Sequence, residues 1–291
     1  MKLLPQSVAN DQVGFVILPP MECIVPELFR DVEIDDRLYT GILSDTQRFR
    51  GSIYLNDGAI LREQLNTDGR HIAPSDEESW HVLALNQAGQ VCACLKFHEE
   101  VPSMTYYDLD VFHSAIAHSA QWGGKLRKAV ELERFRAREQ RLRFGEVGGW
   151  AIAPDRRHTK LSLESILVAY GLLKLLGGGV GLATATVKHG SSSILRRLGL
   201  LPMSSQGEDL PSYYDPHYRS EMELLRFDSR QPNPKYVKWV LQLSLQLACV
   251  PVVCAKHHVT YGTNAPERGT LKRWLPMAIT GIAGATLQHP S

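Results

Sequence analysis

The sequence has no long uninterrupted apolar run, no excess of charge of either sign, and few cysteines. A bilayer-spanning helix needs roughly 20 predominantly apolar residues. The nearest stretch, Trp239 to Ala255, is broken by two glutamines, a serine and Pro251. The 32 Lys and Arg against 31 Asp and Glu leave a net charge of +1. That balance excludes a nucleic-acid binder in bulk, because a phosphate backbone recruits a large cationic excess; only local basic patches remain. Five cysteines (Cys23, Cys92, Cys94, Cys249, Cys254), odd in number and unevenly placed, argue against a secreted disulfide framework and fit a cytoplasmic location. The opening MKLLPQSVANDQVGF turns polar by Gln6 and lacks the pattern of a secretory signal.

What is present is an ordinary soluble composition, 44% hydrophobic and 22% charged, in 291 residues. That length buries a core as one large domain with extensions. Residues 1–44 read as an irregular arm whose acidic group, Asp31 to Asp36, is solvated. Next, Arg-Phe-Arg at 48–50 precedes Ile53 and Tyr54 at an expected helix-to-loop transition. HVLAL and QVCACLKF, joined by a turn at Asn86 to Gly89, predict a β-hairpin on which Cys92 and Cys94 share a face as small core residues. Residues 101–144 read as a mostly helical connection. Between Lys125 and Arg143 it carries eight basic residues against three glutamates, either a solvated helix laced with ion pairs or a docking surface for an acidic protein or a lipid headgroup.

The most organised stretch is Gly145 to Leu200. VGGWAIAP is a strand closed by Pro154, and DRRHTK is a basic turn. Leu161, Leu163, Ile166, Leu167, Tyr170, Leu173 and Leu176 recur at helical spacing until Gly177 to Gly179 stop the helix. LATATVK is the next strand and SSSILRRL the next helix, with Ser191 or Ser192 as its N-cap. EMELLRF follows as a further strand. Residues 229–291 form an extension that covers the domain, makes a dimer contact or touches a membrane surface; its sequence does not choose, and the oligomeric state is equally open. Cys249, Cys254, His257 and His258 lack the spacing of a closed zinc site, so no metal is expected. Ser191 to Ser193 lack the context of a serine nucleophile.

The order hairpin, helical insertion, strand, basic turn, helix, strand, helix, Leu-Gly, strand resembles the GNAT (Gcn5-related N-acyltransferase) fold, an α/β architecture with a mixed central sheet flanked by helices. The resemblance covers about residues 45–228. The family's donor-binding turn, [QR]-x-x-G-x-[GA], falls on Arg157, His158, Thr159, Lys160, Leu161 and Ser162 after Ala153-Pro154. Arg157 matches, while Lys160 and Ser162 replace small residues. Arg196 to Leu200 is similar to the family's Y-x-K-L-G-F ending, with Leu195 at the position of the tyrosine general acid. Glu146 on the central strand, Arg50-x-x-Ile-Tyr54 and the acidic residues before the hairpin resemble the acyl-homoserine-lactone synthases and the long-chain N-acyl amino acid synthases. Val147, Gly148 and Gly149 stand where the lactone synthases have x-Ser-Arg, which favours the N-acyl amino acid type.

The resemblance implies transfer of a medium or long acyl chain from acyl carrier protein, or from acyl-CoA, to the amine of an amino acid or related small molecule, with no tightly bound cofactor. Glu146 is then the general base, unless it is a strand-edge carboxylate paired with Arg143 or Lys96. Arg156, Arg157 and Lys160, with the amides of residues 158–162, meet the donor phosphate. Arg50, Tyr54, Asp76, Glu77 and Trp150 are expected to face the acceptor. Two alternatives stand beside this: a CoA-dependent acetyltransferase of a small amine or a protein, and a non-catalytic module that binds an acyl carrier.

Overall fold

Apolar alternation and turn chemistry lay down the middle of a large sheet. In a computed structural model, which describes residues 13–188 and 190–256, the elements run β1 (Gly14–Leu18), β2 (Asp31–Ile34), α1 (Asp36–Asn56), β3 (Ser79–Leu85), β4 (Val91–Glu99), α2 (Gly123–Glu139), β5 (Arg143–Ile152), α3 (Lys160–Leu175), β6 (Gly179–Thr186), α4 (Ser191–Leu198), β7 (Leu201–Pro202), β8 (Ser204–Ser205), β9 (Glu208–Asp209), β10 (Tyr213–Asp215), β11 (Ser220–Asp228), α5 (Val237–Leu247) and β12 (Pro251–Cys254). The main sheet has the order β10-β11-β6-β5-β4-β3-β1-β12-β2, with β7 joined to β11. β5 and β6 are parallel, as are the pairs β1/β12 and β12/β2; the other neighbours are antiparallel. Three short 3-10 turns fill residues 106–118 ahead of α2. Among the described residues, no helix is long and apolar enough to cross a membrane.

The β3–β4 hairpin forms as expected, its turn closed by the Asn86 side chain, which accepts from the amides of Ala88 and Gln90 at 2.9 and 3.0 Å. The cysteines on it behave differently from the expectation. Ala84 pairs with Ala93 while Leu85 pairs with Val91, so Cys92 is the extra residue of a bulge. The bulge breaks the alternation: Cys92 packs on the face that carries α3, and Cys94 on the face that carries α1.

The N-terminal region is more regular than its prolines suggest. β1 lies beside β3, β2 forms an edge, and Asp35 is the N-cap of α1, accepting from the amides of Arg37 and Leu38 at 2.9 and 3.0 Å. The acidic group is therefore partly structural, and Arg50 sits inside α1 rather than at its end. Residues 229–256 also join the sheet. α5 packs on α3, where Gly171 leaves no side chain between them, and β12 slots between β1 and β2. This arrangement buries Val240, Leu243, Leu247, Val252 and Val253, which accounts for much of the apolar stretch from 239 to 255. The second apolar stretch, residues 274–287, lies outside the described residues. α4 starts on Gly190 at φ 73°, not on a serine cap; Ser192 instead bonds Glu223.

The two faces of the sheet differ. One carries a continuous apolar core under α3, α4 and α5. The other carries two separate apolar clusters, one beneath α1 and one beneath α2. Between those clusters the sheet presents polar side chains.

One irregularity shapes the molecule. β5 pairs with β6 only from Arg143 to Val147, whereas its pairing with β4 continues to Ile152. Beyond Val147 and Ala183 the parallel strands therefore part. A second bulge lies here: Cys94 faces Ala151 and Lys96 faces Gly148, so Gly149 and Trp150 stand against Leu95 alone, with Gly149 at φ 62°. The N-terminus of α3 follows directly after this end of β5.

The strands that part are pressed close where they meet. A Cβ on Gly181 would collide with the Gly145 carbonyl oxygen, which is backbone and cannot swing aside. Gly181→Ala is expected to lower stability by more than about 2 kcal/mol, measured as a fall in the urea midpoint with little change in slope.

Candidate active site

Period-2 alternation builds the polar patch. On β4, Cys94, Lys96 and His98 point to the face beneath α1 and α2, and register places their neighbours: Ser79, His98 and Glu146 form one row across β3, β4 and β5, and His81, Lys96 and Gly148 form the next. Lys96 is 5% exposed, His98 5% and Glu146 8%. Polar groups so deep require partners.

Asp76 supplies the first set. Its carboxylate accepts from Arg50 Nη1 at 3.0 Å and Nη2 at 2.6 Å, from the Gln47 amide at 3.0 Å and from the Ala73 backbone N–H at 3.0 Å. Arg50 also donates to the His71 carbonyl at 2.7 Å. Burial alone raises the Asp76 carboxyl, but the Arg50 guanidinium outweighs it, with help from Lys96, and holds the group well below its ordinary range. His81 donates from Nε2 to the Asp76 carbonyl at 2.7 Å, and burial pushes it down to about 4, so it is neutral. Asp76 thus locks α1 to the segment entering β3.

Lys96 bridges to a second set. Its ammonium donates to Ser75 Oγ at 2.6 Å and lies 3.6 Å from Asp76 and 3.9 Å from Asp110. Burial lowers its pKa. Ser75 Oγ in turn donates to Asp110 at 3.3 Å. Glu146 accepts from two backbone amides, Asp110 N–H at 2.6 Å and Val111 N–H at 2.8 Å, which pins the 3-10 turn of residues 110–113 against β5. Burial and the nearby Asp110 push the Glu146 carboxyl up to about 7, opposed by those amides and by Lys96. Arg143 does not reach Glu146; it pairs with Glu99.

The other expected residues divide. Arg50 and Asp76 meet as described. Tyr54 donates to the Trp150 carbonyl at 3.3 Å, while the Trp150 indole turns to the opposite face and donates to Ser165 Oγ at 3.0 Å. The Glu77 side chain is exposed and stands outside this network; its backbone carbonyl receives the Met21 amide. In the basic turn, Arg157 is held by Asp57 at 2.7 Å, which ties the turn to the end of α1. Arg156 is near Asp155, and His158 adopts φ 64°. Thr159 is the N-cap of α3 and Ser162 Oγ donates to its carbonyl, while Leu161 is core. Lys160 is 72% exposed, bridged to Glu164 at 2.7 Å and lying over the Trp239 ring. The basic residues of α2 are largely engaged: Arg134 with Glu100 and Glu131, Arg136 with Glu133, Arg138 with Glu100, and Lys125 with Glu208.

Apart from Lys96, considered above only as an ion-pair partner of Glu146, the remaining members were not expected at the site. Lys96 and His98 had a signal, two ionisable residues alternating inside the second strand of the hairpin. Gln47, Ser75 and Asp110 had none. His98 Nε2 lies 3.6 Å from Glu78, and its Nδ1 is buried without a partner. Ligand-type atoms of His98, Asp110 and Glu146 lie within 4.8 Å of one another. Both Glu146 oxygens already receive backbone amides. Of the C-terminal cysteine and histidine set, Cys249 is exposed and Cys254 buried in β12; His257 and His258 lie outside the described residues.

A mixed sheet in which one parallel pair, β5 and β6, parts beside a helix N-terminus defines the class: the fold is that of the GNAT acyltransferases. Within it, the fold is similar to that of an acyl-homoserine lactone synthase. The CoA-dependent acyl-homoserine lactone synthase BjaI, solved with SAM and isopentyl-CoA, aligns with a TM-score of 0.50 and 13% identity, covering 84% of this chain and 94% of that one. FeeM, an N-acyl amino acid synthase from uncultured soil microbes, aligns with a TM-score of 0.39 and 11% identity over 64% of this chain and 84% of its own. Ribosomal-protein-S5-alanine acetyltransferase from Vibrio fischeri gives 0.39 and 10% over 69% and 94%. No protein-family model and no curated protein matches the sequence.

The Arg50–Asp76 pair yields a stability prediction. Removing one partner strands a buried charge, so Arg50→Met is expected to cost about 3–5 kcal/mol. Because the folded-state pKa of Asp76 is depressed, its contribution is complete above its ordinary value of 3.8 and is lost as pH falls below it. Denaturant midpoints measured from pH 6 downward check this; Asp76→Asn should flatten that acid dependence.

Proposed function

We propose that this protein is an N-acyltransferase that moves a medium or long acyl chain from acyl carrier protein or acyl-CoA to the amine of an amino acid or related small molecule. The observation that carries this reading is the parting of β5 and β6 after Val147 and Ala183, with buried carboxylates on one side of the gap and the N-terminus of α3 at its end.

A thioester reaches an amine only if three needs are met together. The donor phosphate needs positive potential: the first-turn amides of α3 provide it, helped by Arg156 and Lys160, while Arg157 is largely committed to Asp57. The thioester carbonyl needs a hydrogen-bond donor. Backbone at 148–152 has no partner strand on its β6 side, and its amides are the groups available to polarise that oxygen. The ammonium acceptor must lose a proton before it can attack, and the carboxylates around Glu146 are the groups to take it. Glu146, pushed up to about 7, accepts both turn amides fully only once ionised, so the 110–113 turn is firmly held from near neutral pH upward.

The cluster also suits a cationic acceptor. Lys96 and Arg50 are already paired with Asp110 and Asp76, so the groups left open toward solvent, Asp110 and Glu78, are acidic. The structure of BjaI was solved with SAM, a sulfonium cation, and isopentyl-CoA.

The test is to incubate the purified protein with acyl-carrier and acyl-CoA donors and mixed amino acids, and to look for N-acyl products by mass spectrometry. The expected outcome is an N-acylated amine, formed at a rate that rises as pH passes through about 7, where Glu146 loses its proton. Absence of product from both donors at every pH would sink the reading.

A further inference from the structure

We propose that Asp110 is the catalytic carboxylate that receives the acceptor's proton, and that Glu146 is the positioning residue that presents it. This rests on the acyl-transfer reading above and assigns the proton to a residue no sequence motif marked.

The two carboxylates sit within 4.8 Å but are built differently. Glu146 is 8% exposed, and both of its oxygens receive short bonds from backbone amides. An oxygen engaged in that way, at the floor of the sheet, is poorly placed to meet a soluble amine. Those two amides belong to Asp110 and its neighbour Val111, so Glu146 acts by fixing the turn that carries Asp110. The Asp110 side chain is 49% exposed. Its orientation is set from behind by Ser75 Oγ, which is itself held by the buried Lys96. A carboxylate open on one side and braced on the other is what proton transfer to an incoming ligand requires.

The step balances simply. The ammonium form of the acceptor gives one proton to the Asp110 carboxylate. The neutral amine then attacks the thioester carbonyl carbon, a C–N bond forms and the C–S bond breaks. The proton remaining in excess on nitrogen neutralises the departing thiolate, leaving amide and thiol, and Asp110 returns its proton to water.

The assignment separates two variants that would otherwise look alike. Asp110→Asn keeps the shape of an exposed side chain but cannot accept a proton, so kcat should fall about 100-fold with the melting temperature nearly unchanged. Asp110→Glu should recover at least about tenfold of that loss by restoring the carboxylate. Glu146→Gln sets an amide N–H against one of the two backbone amides, so it should loosen the 110–113 turn, raise KM and lower the melting temperature by about 4 °C or more. All are measured in the full-length protein, with the wild type and the donor and amine pair it turns over as reference. Asp110→Asn retaining kcat within about threefold of wild type, or Glu146→Gln losing as much kcat with KM and melting temperature unchanged, would overturn the assignment. A wild-type protein inactive with every donor would remove the acyl-transfer reading and this assignment together, an outcome distinct from an active wild type with an active Asp110→Asn.

Discussion

The carboxylate of Asp76, 1% exposed, is the charge around which this molecule is arranged. An ion so deep is tolerable only if its lone pairs are filled and an opposite charge lies against it. Arg50 and Gln47 from α1, the Ala73 amide from the loop and Lys96 from β4 meet those demands together. The consequence is mechanical as well as electrostatic. α1 is fixed at one register on the sheet, and Lys96 is left one contact away from Ser75 and Asp110. The polar patch between the two apolar clusters is thereby a single connected network.

A second constraint comes from backbone pairing. β5 serves two neighbours over its first half and one over its second. The bulge at Gly149 and Trp150 turns the strand where its partner β6 leaves. A sheet that opens in this way exposes amides of a central strand without creating an aggregation-prone edge, since the gap is flanked by α3 and the basic turn. The Arg157–Asp57 pair ties that turn to the end of α1. The basic turn and the buried polar patch are then joined through the same helix that carries Arg50.

Much of this was legible in the residues. The hairpin, the helix from 160 and its glycine stop, and the strand around 182 follow from periodicity and turn chemistry, and Arg50, Asp76 and Glu146 stand in the sequence segments that come together in the polar patch. Three kinds of feature were not legible. Bulges shift faces without a sequence mark, which is why Cys92 and Cys94 part. Strand order is not local, so nothing in PVVC at 251–254 announces a place between β1 and β2. Asp110 comes to the site through a turn of residues 110–113 whose own amides are the attachment, and an amide has no signature in the sequence. Glu77 carries the same charge as its neighbour Asp76, but its side chain is exposed and lies outside the buried network.

The central claim is that an acyl donor enters the gap where β5 and β6 part. Amide chemical shifts in the isotopically labelled full-length protein, followed while a non-hydrolysable acyl-phosphopantetheine thioether is added, address it without requiring turnover. Shifts concentrated at residues 148–150 and 158–162 are predicted. Saturable binding with shifts confined to other parts of the sheet, or no binding at all, would contradict it.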